Sequence, residues 1–571
     1  MGESPKDKIS QTARLGVTMK LKANLLAFEI PFVKKLNSNS TILKIIKAFC
    51  VAFFISNSIY LCIAQEFGYA QSVLWQVLSP FLAIYGFVLL LRMKGGGWFW
   101  TGFFVSLLWF YWISLSSIYY GLHYIIPLEL LGIGLFYGIL FRLCYAFHYD
   151  FLRLLGLFCL PFIHFLDFDW LNWGVLSVYG IFDASWRGIV CVSLIAYFYY
   201  EGYISRYYKI FIIVMLILLG MQYKDTEFNE LQSDFKLINT HIDEATKFDK
   251  NNVAKNADFV ISEILKAIDE QKELVVFPES TFAFDLRKGF GGMYFELLKE
   301  FSNEIMIIVG APYSADGKFY NSAYIFEGGE VKILHKHYLV AFGEEMPQIP
   351  FVSDFVRKHL MPNMAYFTRG AAFNEYDIGT QRVTNAICFE ATKEALYQKS
   401  QIIVAISNNA WFDNLVEPAL QRLLISFYAS KYGVAVYHAT NAKHTGVITP
   451  KKSLFLALQN QLFDENSSTD DERVNLNDEN SSINDENSSL NAEFSNENDT
   501  NSSLDENATL NDENLSVKLN DKNSSVGRNL SLTSDKNSAQ PKNAKNLDKK
   551  ASNDKNPKNT QKPNNDKTPK N

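Results

Sequence analysis

The strongest constraint on the fold is the run of apolar segments between residues 41 and 223. A helix that crosses a bilayer needs about 20 mostly apolar residues. Soluble helices of this length present a polar face, and these segments do not, so membrane spans are favoured over a buried helical core. We expect seven helices, near residues 45–64, 72–91, 98–118, 124–145, 151–168, 187–200 and 209–222.

The positions of lysine and arginine predict the orientation of these helices. Basic residues gather on alternate sides of the spans, and the positive-inside rule assigns that side to the cytoplasm. They are Lys20, Lys22, Lys34, Lys35, Lys44, Lys47, Arg92, Lys94, Arg142, Arg153, Arg206 and Lys209. Residues 1–40 are therefore expected to form a cytoplasmic arm, and seven crossings of residues 41–223 place the chain after about Tyr223 outside the cytoplasm.

Residues 225–455 have the pattern of a soluble domain in which strands alternate with helices. A helix is expected over 251–271, and a hairpin over 321–340 with its turn at Gly328–Gly329. Further strands are expected at 235–242, 274–280, 306–313, 383–390, 401–412 and 434–441. This alternation predicts a layered α/β domain.

Cys388 is the only cysteine of this second region. The others lie in the apolar segments, at Cys50, Cys62, Cys144, Cys159 and Cys191. Outside the cytoplasm cysteines usually pair, so a lone one indicates intermolecular pairing or a reactive thiol. A small buried hydrophobe is an equally good interpretation of the cysteine by itself.

Three expected strand ends carry residues suited to thiol chemistry: Glu279 in "FPES", Lys336 in "LHKHYLVAFGEE" and Cys388 in "ICFE". Glu279 can take the thiol proton and return it to a leaving group. Lys336 can favour the thiolate and stabilise an oxyanion. Alone, such a Glu or Lys is more often solvated or structurally paired. His335 and His337 should face away from Lys336, and without a third ligand they predict no metal site.

The motifs "VVFPES", "HKHYLVAFGEEMP", "NAICFEAT" and "SNNAWF" resemble those of the nitrilase superfamily, with its Glu-Lys-Cys triad. Behind a multi-helix membrane domain they are similar to the apolipoprotein N-acyltransferase family, and "GFFVSLLWFYWISLS" (102–116) resembles its membrane part. The resemblance covers about residues 45–450. It implies an αββα sandwich over 225–455, on the periplasmic side of a bacterial inner membrane, and no cofactor.

The resemblance also implies a reaction. Cys388 would take an acyl chain from a phospholipid, typically phosphatidylethanolamine, as a thioester. It would then pass the chain to the N-terminal amine of a diacylglyceryl-modified apolipoprotein. Glu279 would serve as base and then acid, and Lys336 would stabilise the oxyanion. Two half-reactions through one thioester imply ping-pong kinetics.

Further residues are assigned by the resemblance alone. Glu344 would support the triad, and Phe389 and Glu390 match an aromatic–acid pair after the nucleophile. The sequence departs from the family at Phe248, where the family has tryptophan, and at Ala341, where proline is usual. Tyrosine is common at the position of Phe389.

Two other functions remain open from the residues. A membrane-anchored amidase or hydrolase would use the same triad with water as acceptor, although a single anchor helix would suffice for it. A scaffold with a decayed domain is disfavoured because Glu279, Lys336 and Cys388 are all present. No basic stripe with interleaved aromatic residues indicates a nucleic-acid partner.

Residues 464–571 are of low complexity and are expected to be disordered. A degenerate "DENSS" repeat generates acceptor sequons with an Asp two residues before each Asn. They are Asn466, Asn480, Asn487, Asn501, Asn507, Asn514 and Asn523. The pattern resembles bacterial acidic sequons, so glycosylation of the tail is a hypothesis, but a drifting repeat that yields unused sequons is the favoured interpretation.

Overall fold

The computed structural model describes residues 41–457, apart from 245, 248, 362–365 and 413–415, and two short segments at 516–518 and 531–533. By its contacts the chain forms one unit over 1–469 and a second over 470–571. The predictions for the arm 1–40, for Phe248 and for the seven sequons lie outside the described residues. Of the tail, the structure describes the strands Ser516–Lys518 and Ser531–Thr533, which pair antiparallel.

Each of the seven apolar segments contains a helix. The helices are α1 (Thr41–Ile55), α2 (Asn57–Glu66), α3 (Val73–Leu91), α4 (Gly95–Leu115), α5 (Ile126–Tyr145), α6 (Asp150–Cys159), α7 (Trp186–Tyr200) and α8 (Arg206–Gly220). α6 ends earlier than the predicted segment, because Pro161 follows in the next turn and cannot continue the helical hydrogen bonding.

Three helical stretches are long and apolar enough to cross a membrane alone: Val73–Leu91, Gly95–Ile118 and His123–Tyr145. α1 and α2 together give a fourth if they act as one span, although they are bent by 62° at the break between them. α6, α7 and α8 are 10, 15 and 15 residues long, which is shorter than a typical crossing. The count of seven crossings therefore stays a prediction.

The second region consists of two five-stranded sheets. The first has the order β1-β2-β3-β4-β5, and the second the order β10-β9-β8-β7-β6. The strands are β1 (Phe235–Leu237), β2 (Leu274–Val276), β3 (Met306–Ala315), β4 (Lys318–Glu327), β5 (Glu330–His335), β6 (Glu375–Ile378), β7 (Gln381–Ile387), β8 (Ile402–Asn408), β9 (Ala435–Asn441) and β10 (Gly446–Ile448). One buried apolar core joins the facing sides of both sheets, for example Val276 and Ile308 with Val404 and Ile406.

Helices cover the outer faces of both sheets. α9 (Lys250–Asp269) and α10 (Gly291–Phe301) share a core with the first sheet. Two short helices, α11 (Val352–Phe355) and α12 (Glu394–Tyr397), precede α13 (Val416–Tyr432), which covers the second sheet. The expected αββα sandwich is confirmed. The hairpin turn is also found at Gly328–Gly329, where both residues have positive φ.

α13 also packs against the membrane helices, so that one apolar core extends from the second sheet into them. A Cβ atom on Gly174 would lie 2.5 Å from the ring of Phe427, so only glycine permits this close approach. Two buried hydrogen bonds reinforce the contact: Trp170 Nε1 donates to Thr392 Oγ1 at 2.8 Å, and Asn172 Nδ2 to Tyr428 Oη at 2.8 Å. The sandwich is thereby held against the membrane region through its second sheet.

Candidate active site

Glu279 follows β2 in a tight turn whose next residue, Ser280, has a φ of 51°. A Cβ atom on Gly310 of β3 would lie 2.6 Å from the Glu279 Cα atom, so glycine at 310 lets the turn press against the neighbouring strand. The Glu279 side chain is buried. Its Oε1 atom accepts a hydrogen bond from Asn321 Nδ2 at 2.7 Å, and its Oε2 atom accepts one from the backbone N–H of Asn408 at 2.9 Å. The carboxylate is therefore fixed by donors from both sheets.

Lys336 follows β5 and is 1% exposed. Its Nζ atom lies 3.3 Å from Glu279 Oε1 and 2.8 Å from Glu344 Oε1. Burial acts to lower the pKa of this ammonium, but the charges of Glu279 and Glu344 outweigh burial and raise it above its ordinary value. Lys336 is thus a permanent buried cation held between two carboxylates.

Glu344 lies in the loop after Lys336, and the backbone of that loop fixes it. Its Oε2 atom accepts from the backbone N–H of Val340 at 2.9 Å. Asn321 Nδ2 donates to Glu344 Oε1 at 3.1 Å as well as to Glu279, so one amide bridges the two carboxylates. Glu344 therefore belongs to the same cluster, at the position that the resemblance implied.

Cys388 lies at the point where β7 passes into a short 3-10 helix, Cys388–Thr392. Its φ of 54° is unusual for a residue with a side chain, and strain of this kind persists only where the surroundings impose it. Burial and the charge of Glu279 raise the pKa of the Cys388 thiol well above its ordinary value, whereas Lys336 acts to lower it. The thiol is therefore neutral at rest, beside a carboxylate that can take its proton.

Glu390 holds the Cys388 turn in place through hydrogen bonds to backbone N–H groups. Its Oε1 atom accepts from the backbone N–H groups of His337 at 2.7 Å and Tyr338 at 3.2 Å, and its Oε2 atom accepts from that of Ile387 at 2.9 Å. Burial raises the pKa of Glu390 despite these hydrogen bonds, which act to lower it. Glu390 thus ties the segment after Lys336 to the strand that carries Cys388.

Phe389 points away from the cluster and toward the membrane region. Its ring centroid lies 6.4 Å from that of Phe168 and 6.0 Å from that of Trp170. The Lys393 ammonium lies 3.9 Å from the centre of the same ring. Phe389 therefore belongs to the interface between the second sheet and the membrane region.

Residues of the α4–α5 connection also reach the site. The ring of Tyr119 lies 4.7 Å from that of Trp411, and the Trp112 ring, at the end of α4, lies 4.8 Å from that of Phe412. Tyr120 has a raised pKa because of burial and then the charge of Glu344. The side of the site that faces the membrane helices is therefore aromatic.

The two flanking histidines lie outside the cluster. His335 Nδ1 is 2.8 Å from Ser322 Oγ, and His337 Nδ1 is 2.8 Å from the Gly370 carbonyl oxygen. Among the described residues, no three His, Cys, Asp or Glu side chains are grouped as ligands of a metal ion. The sequence did not single out Asn321, Glu417 or Gln421 as residues of the site. Asn408 was marked only as part of the motif "SNNAWF".

A cysteine on a strained strand end, beside a buried Glu–Lys pair in an αββα sandwich packed on apolar helices, defines a membrane-bound member of the nitrilase superfamily. A family model described as the apolipoprotein N-acyltransferase integral membrane domain matches residues 42–221. The apolipoprotein N-acyltransferase of Campylobacter jejuni is 53% identical over 437 residues, which are 76% of this chain and 96% of that protein. The chain belongs to the apolipoprotein N-acyltransferase family.

A second curated relative shows the same similarity. The apolipoprotein N-acyltransferase of Wolinella succinogenes is 34% identical and matches 68% of this chain and 92% of its own length. A crystal structure of a CN-hydrolase superfamily protein from Xanthomonas campestris covers 43% of this chain and 100% of its own, at 11% identity and a TM-score of 0.29. At that TM-score it adds nothing to the assignment, which rests on the sequence relatives.

Proposed function

We propose that this protein transfers an acyl chain from a phospholipid, phosphatidylethanolamine, to the N-terminal amine of diacylglyceryl-cysteine apolipoproteins through a thioester on Cys388. The observation that carries this proposal is the buried Lys336 ammonium held by Glu279 and Glu344 beside that cysteine. The cluster supplies a nucleophile, a base and a fixed cation, which are the parts that acyl transfer through a covalent intermediate needs.

In the first half-reaction, Cys388 Sγ attacks the ester carbonyl of the phospholipid while Glu279 takes the thiol proton. The Lys336 ammonium stabilises the negative charge that develops on the carbonyl oxygen. The bond from the carbonyl carbon to the ester oxygen then breaks, and Glu279 gives its proton to the departing lysophospholipid. The acyl chain remains on Cys388 as a thioester.

In the second half-reaction, the neutral amine of the acceptor attacks the thioester carbonyl. A C–N bond forms and the C–S bond breaks. Glu279 accepts one proton from the nitrogen and passes it to Sγ of Cys388, which restores the resting enzyme. Because the two substrates react in turn at one thiol, ping-pong kinetics follow.

The raised pKa of Cys388 fits this order of events. A permanent thiolate would need Lys336 to outweigh burial and the neighbouring carboxylates, and it does not. Proton removal by Glu279 is therefore coupled to attack on the ester. Glu344 keeps the Lys336 ammonium in position, since it accepts the shorter of the two lysine contacts, 2.8 Å against 3.3 Å.

The membrane region brings the thiol to lipid substrates. Tyr119 and Trp112 contact the aromatic segment Asn409–Phe412, and Phe389 stacks on Phe168, so the Cys388 turn is in direct contact with the membrane region. Both proposed substrates carry acyl chains in the bilayer. We place residues 225–455 at the periplasmic face of a bacterial inner membrane, with residues 41–223 as a multi-pass anchor.

The test uses the full-length protein in liposomes with phosphatidylethanolamine that is isotope-labelled in its acyl chains. We expect a labelled thioester on the wild-type protein, and transfer of the label when a diacylated lipopeptide with a free N-terminus is added. Cys388→Ser should show neither, whereas Cys159→Ser, in the membrane region, should behave as the wild type. A thioester that only hydrolyses would favour the amidase or hydrolase alternative, and absence of any thioester would contradict the proposal.

A further inference from the structure

Helix α13 passes directly beside the cysteine turn and carries two polar side chains on that side. Gln421 is 1% exposed, and its Nε2 atom lies 3.9 Å from Cys388 Sγ. Glu417 precedes it by one helical turn, so both side chains lie on the same face of the helix. Glu417 is also buried, at 4% exposure.

Both side chains have a buried oxygen without a partner. Gln421 Oε1 and Glu417 Oε2 accept no hydrogen bond within the described part of the chain. More than nine in ten buried polar groups in proteins are hydrogen-bonded, because an orphaned one loses its contacts with water without gaining a partner. Two orphan acceptors on one helix face, next to a nucleophile, indicate a place for a ligand that brings hydrogen-bond donors.

Electrostatic coupling to Glu279 and Cys388 agrees with the position of Glu417, one helical turn from Gln421. Burial, and then the charge of Glu279, raise the pKa of Glu417 to about 8. Glu417 in turn acts to raise the pKa of the Cys388 thiol. Both effects require proximity in a medium of low dielectric constant.

The chemistry of the two substrates decides which of them fits these acceptors. The reacting ester of a phospholipid has no N–H or O–H group, and its carbonyl oxygen needs a donor, which Lys336 supplies. A primary amine brings two or three N–H groups. Acceptors for those groups would turn the nitrogen lone pair toward the thioester carbonyl.

We propose that Glu417 and Gln421 form the subsite for the amine of the acceptor and direct the acyl-enzyme to aminolysis rather than hydrolysis. This inference rests on the proposed function. The incoming ammonium gives one proton to Glu417 in its ionised form and becomes a neutral amine, and Glu417 releases that proton to solvent after the product leaves. Gln421 Oε1 accepts a second N–H while the nitrogen attacks, and Glu279 carries the proton released on attack to Sγ of Cys388.

The proton transfer in the first of these steps is nearly balanced in free energy. An α-amino group titrates at about 7.7–8.0, close to the pKa of about 8 of Glu417. Transfer between groups of similar pKa proceeds without a large energy cost. An ordinary exposed glutamate, with a pKa of about 4.3, would hold the ammonium as an ion pair instead of delivering the free amine.

The experiment separates the two half-reactions in the full-length protein in liposomes. The variants are Glu417→Gln and Gln421→Met, which keep the side-chain size. Glu394→Gln is the matched control. Glu394 is a carboxylate that accepts a hydrogen bond from Tyr432, and Tyr432 lies at the opposite end of α13 from Glu417. Thioester formation is measured with phosphatidylethanolamine and with phosphatidylglycerol, which has no amine. Transfer to a diacylated lipopeptide and hydrolysis of the thioester are then followed, with thermal unfolding as the check of folding.

We expect transfer to slow about tenfold in each variant, the size of one lost hydrogen bond to a charged group. Any change in thioester formation should be smaller and the same with both donors, because Glu417 and Gln421 also act on the Cys388 thiol. Hydrolysis should be unchanged, so that the fraction of acyl chain lost to water rises. Normal transfer in both variants would overturn the subsite while leaving the proposed function intact. Slower thioester formation with phosphatidylethanolamine alone would show that Glu417 and Gln421 bind the donor headgroup. That result would also overturn the amine subsite. A wild type without a thioester would overturn the proposed function itself.

Discussion

Replacing Glu390 with glutamine tests whether a buried carboxylate holds the cysteine turn in place. The wild-type side chain accepts three backbone N–H groups, from His337, Tyr338 and Ile387. Glutamine has nearly the same size but offers one oxygen instead of two. At least one of the N–H groups therefore loses its acceptor, and an amide NH₂ then faces it in a buried place.

The magnitude follows from the hydrogen bonds. A hydrogen bond to a charged group contributes about 1.5–3 kcal/mol, so we expect Glu390→Gln to lower the free energy of unfolding by about 2–3 kcal/mol. Glu390→Ala removes all three acceptors and leaves a cavity, and it should lose about twice as much. Activity should fall with both, because the Cys388 turn and the segment after Lys336 are no longer tied together.

The assay is denaturant unfolding in detergent micelles, together with the rate at which an alkylating reagent modifies Cys388. Alkylation should become faster as the turn loosens. Glu270→Gln serves as control, since Glu270 forms an exposed pair with Lys236 that is worth about 0–1 kcal/mol. If Glu390→Gln unfolded as the wild type does but lost all activity, Glu390 would act in the chemistry and the anchoring role would be refuted.

Three further outcomes are expected. Lys336→Met leaves the Glu344 carboxylate without its cation, so it should lower the free energy of unfolding by about 3–5 kcal/mol, and Lys336→Arg should not restore thioester formation. Phe389→Ala removes the ring contact with Trp170 and should cost about 3–5 kcal/mol in the same assay, whereas Phe389→Tyr should be tolerated. The pKa of Glu417 is raised to about 8 in the folded protein, against about 4.3 when unfolded. The Glu417 side chain therefore contributes stability at low pH, and this contribution is lost as the pH rises through 8. Between pH 6 and pH 9 the wild type should lose more stability than Glu417→Gln.

The core of the candidate site could be predicted from the sequence because its residues follow apolar strands. Glu279, Lys336 and Cys388 each lie within three residues of the end of a strand, and strand ends of a layered domain meet at one edge. Their motifs are also local, each within thirteen residues. The structure brings Glu279 and Lys336 into contact across 57 residues of sequence.

Other parts had no local signal. Gln421 and Glu417 lie on a helix that is buried on both sides, so its pattern shows no face that distinguishes a pocket from a core. Asn321 is one polar residue within the hairpin and gave no sign that it bridges two carboxylates. β6 and β10, with four and three residues, were missed because an edge strand of that length has too short an alternation to recognise. The contact between Trp170 and Thr392 joins positions 222 residues apart, which no local pattern encodes.

The central claim is that Cys388 carries the acyl chain. The most direct test is tandem mass spectrometry of the protein after incubation with phosphatidylethanolamine and without an acceptor. We predict an acyl group on the peptide that contains Cys388, removable by neutral hydroxylamine, and its disappearance when a diacylated lipopeptide is added. An acyl group on any other residue, or transfer to the lipopeptide by Cys388→Ser, would contradict the account.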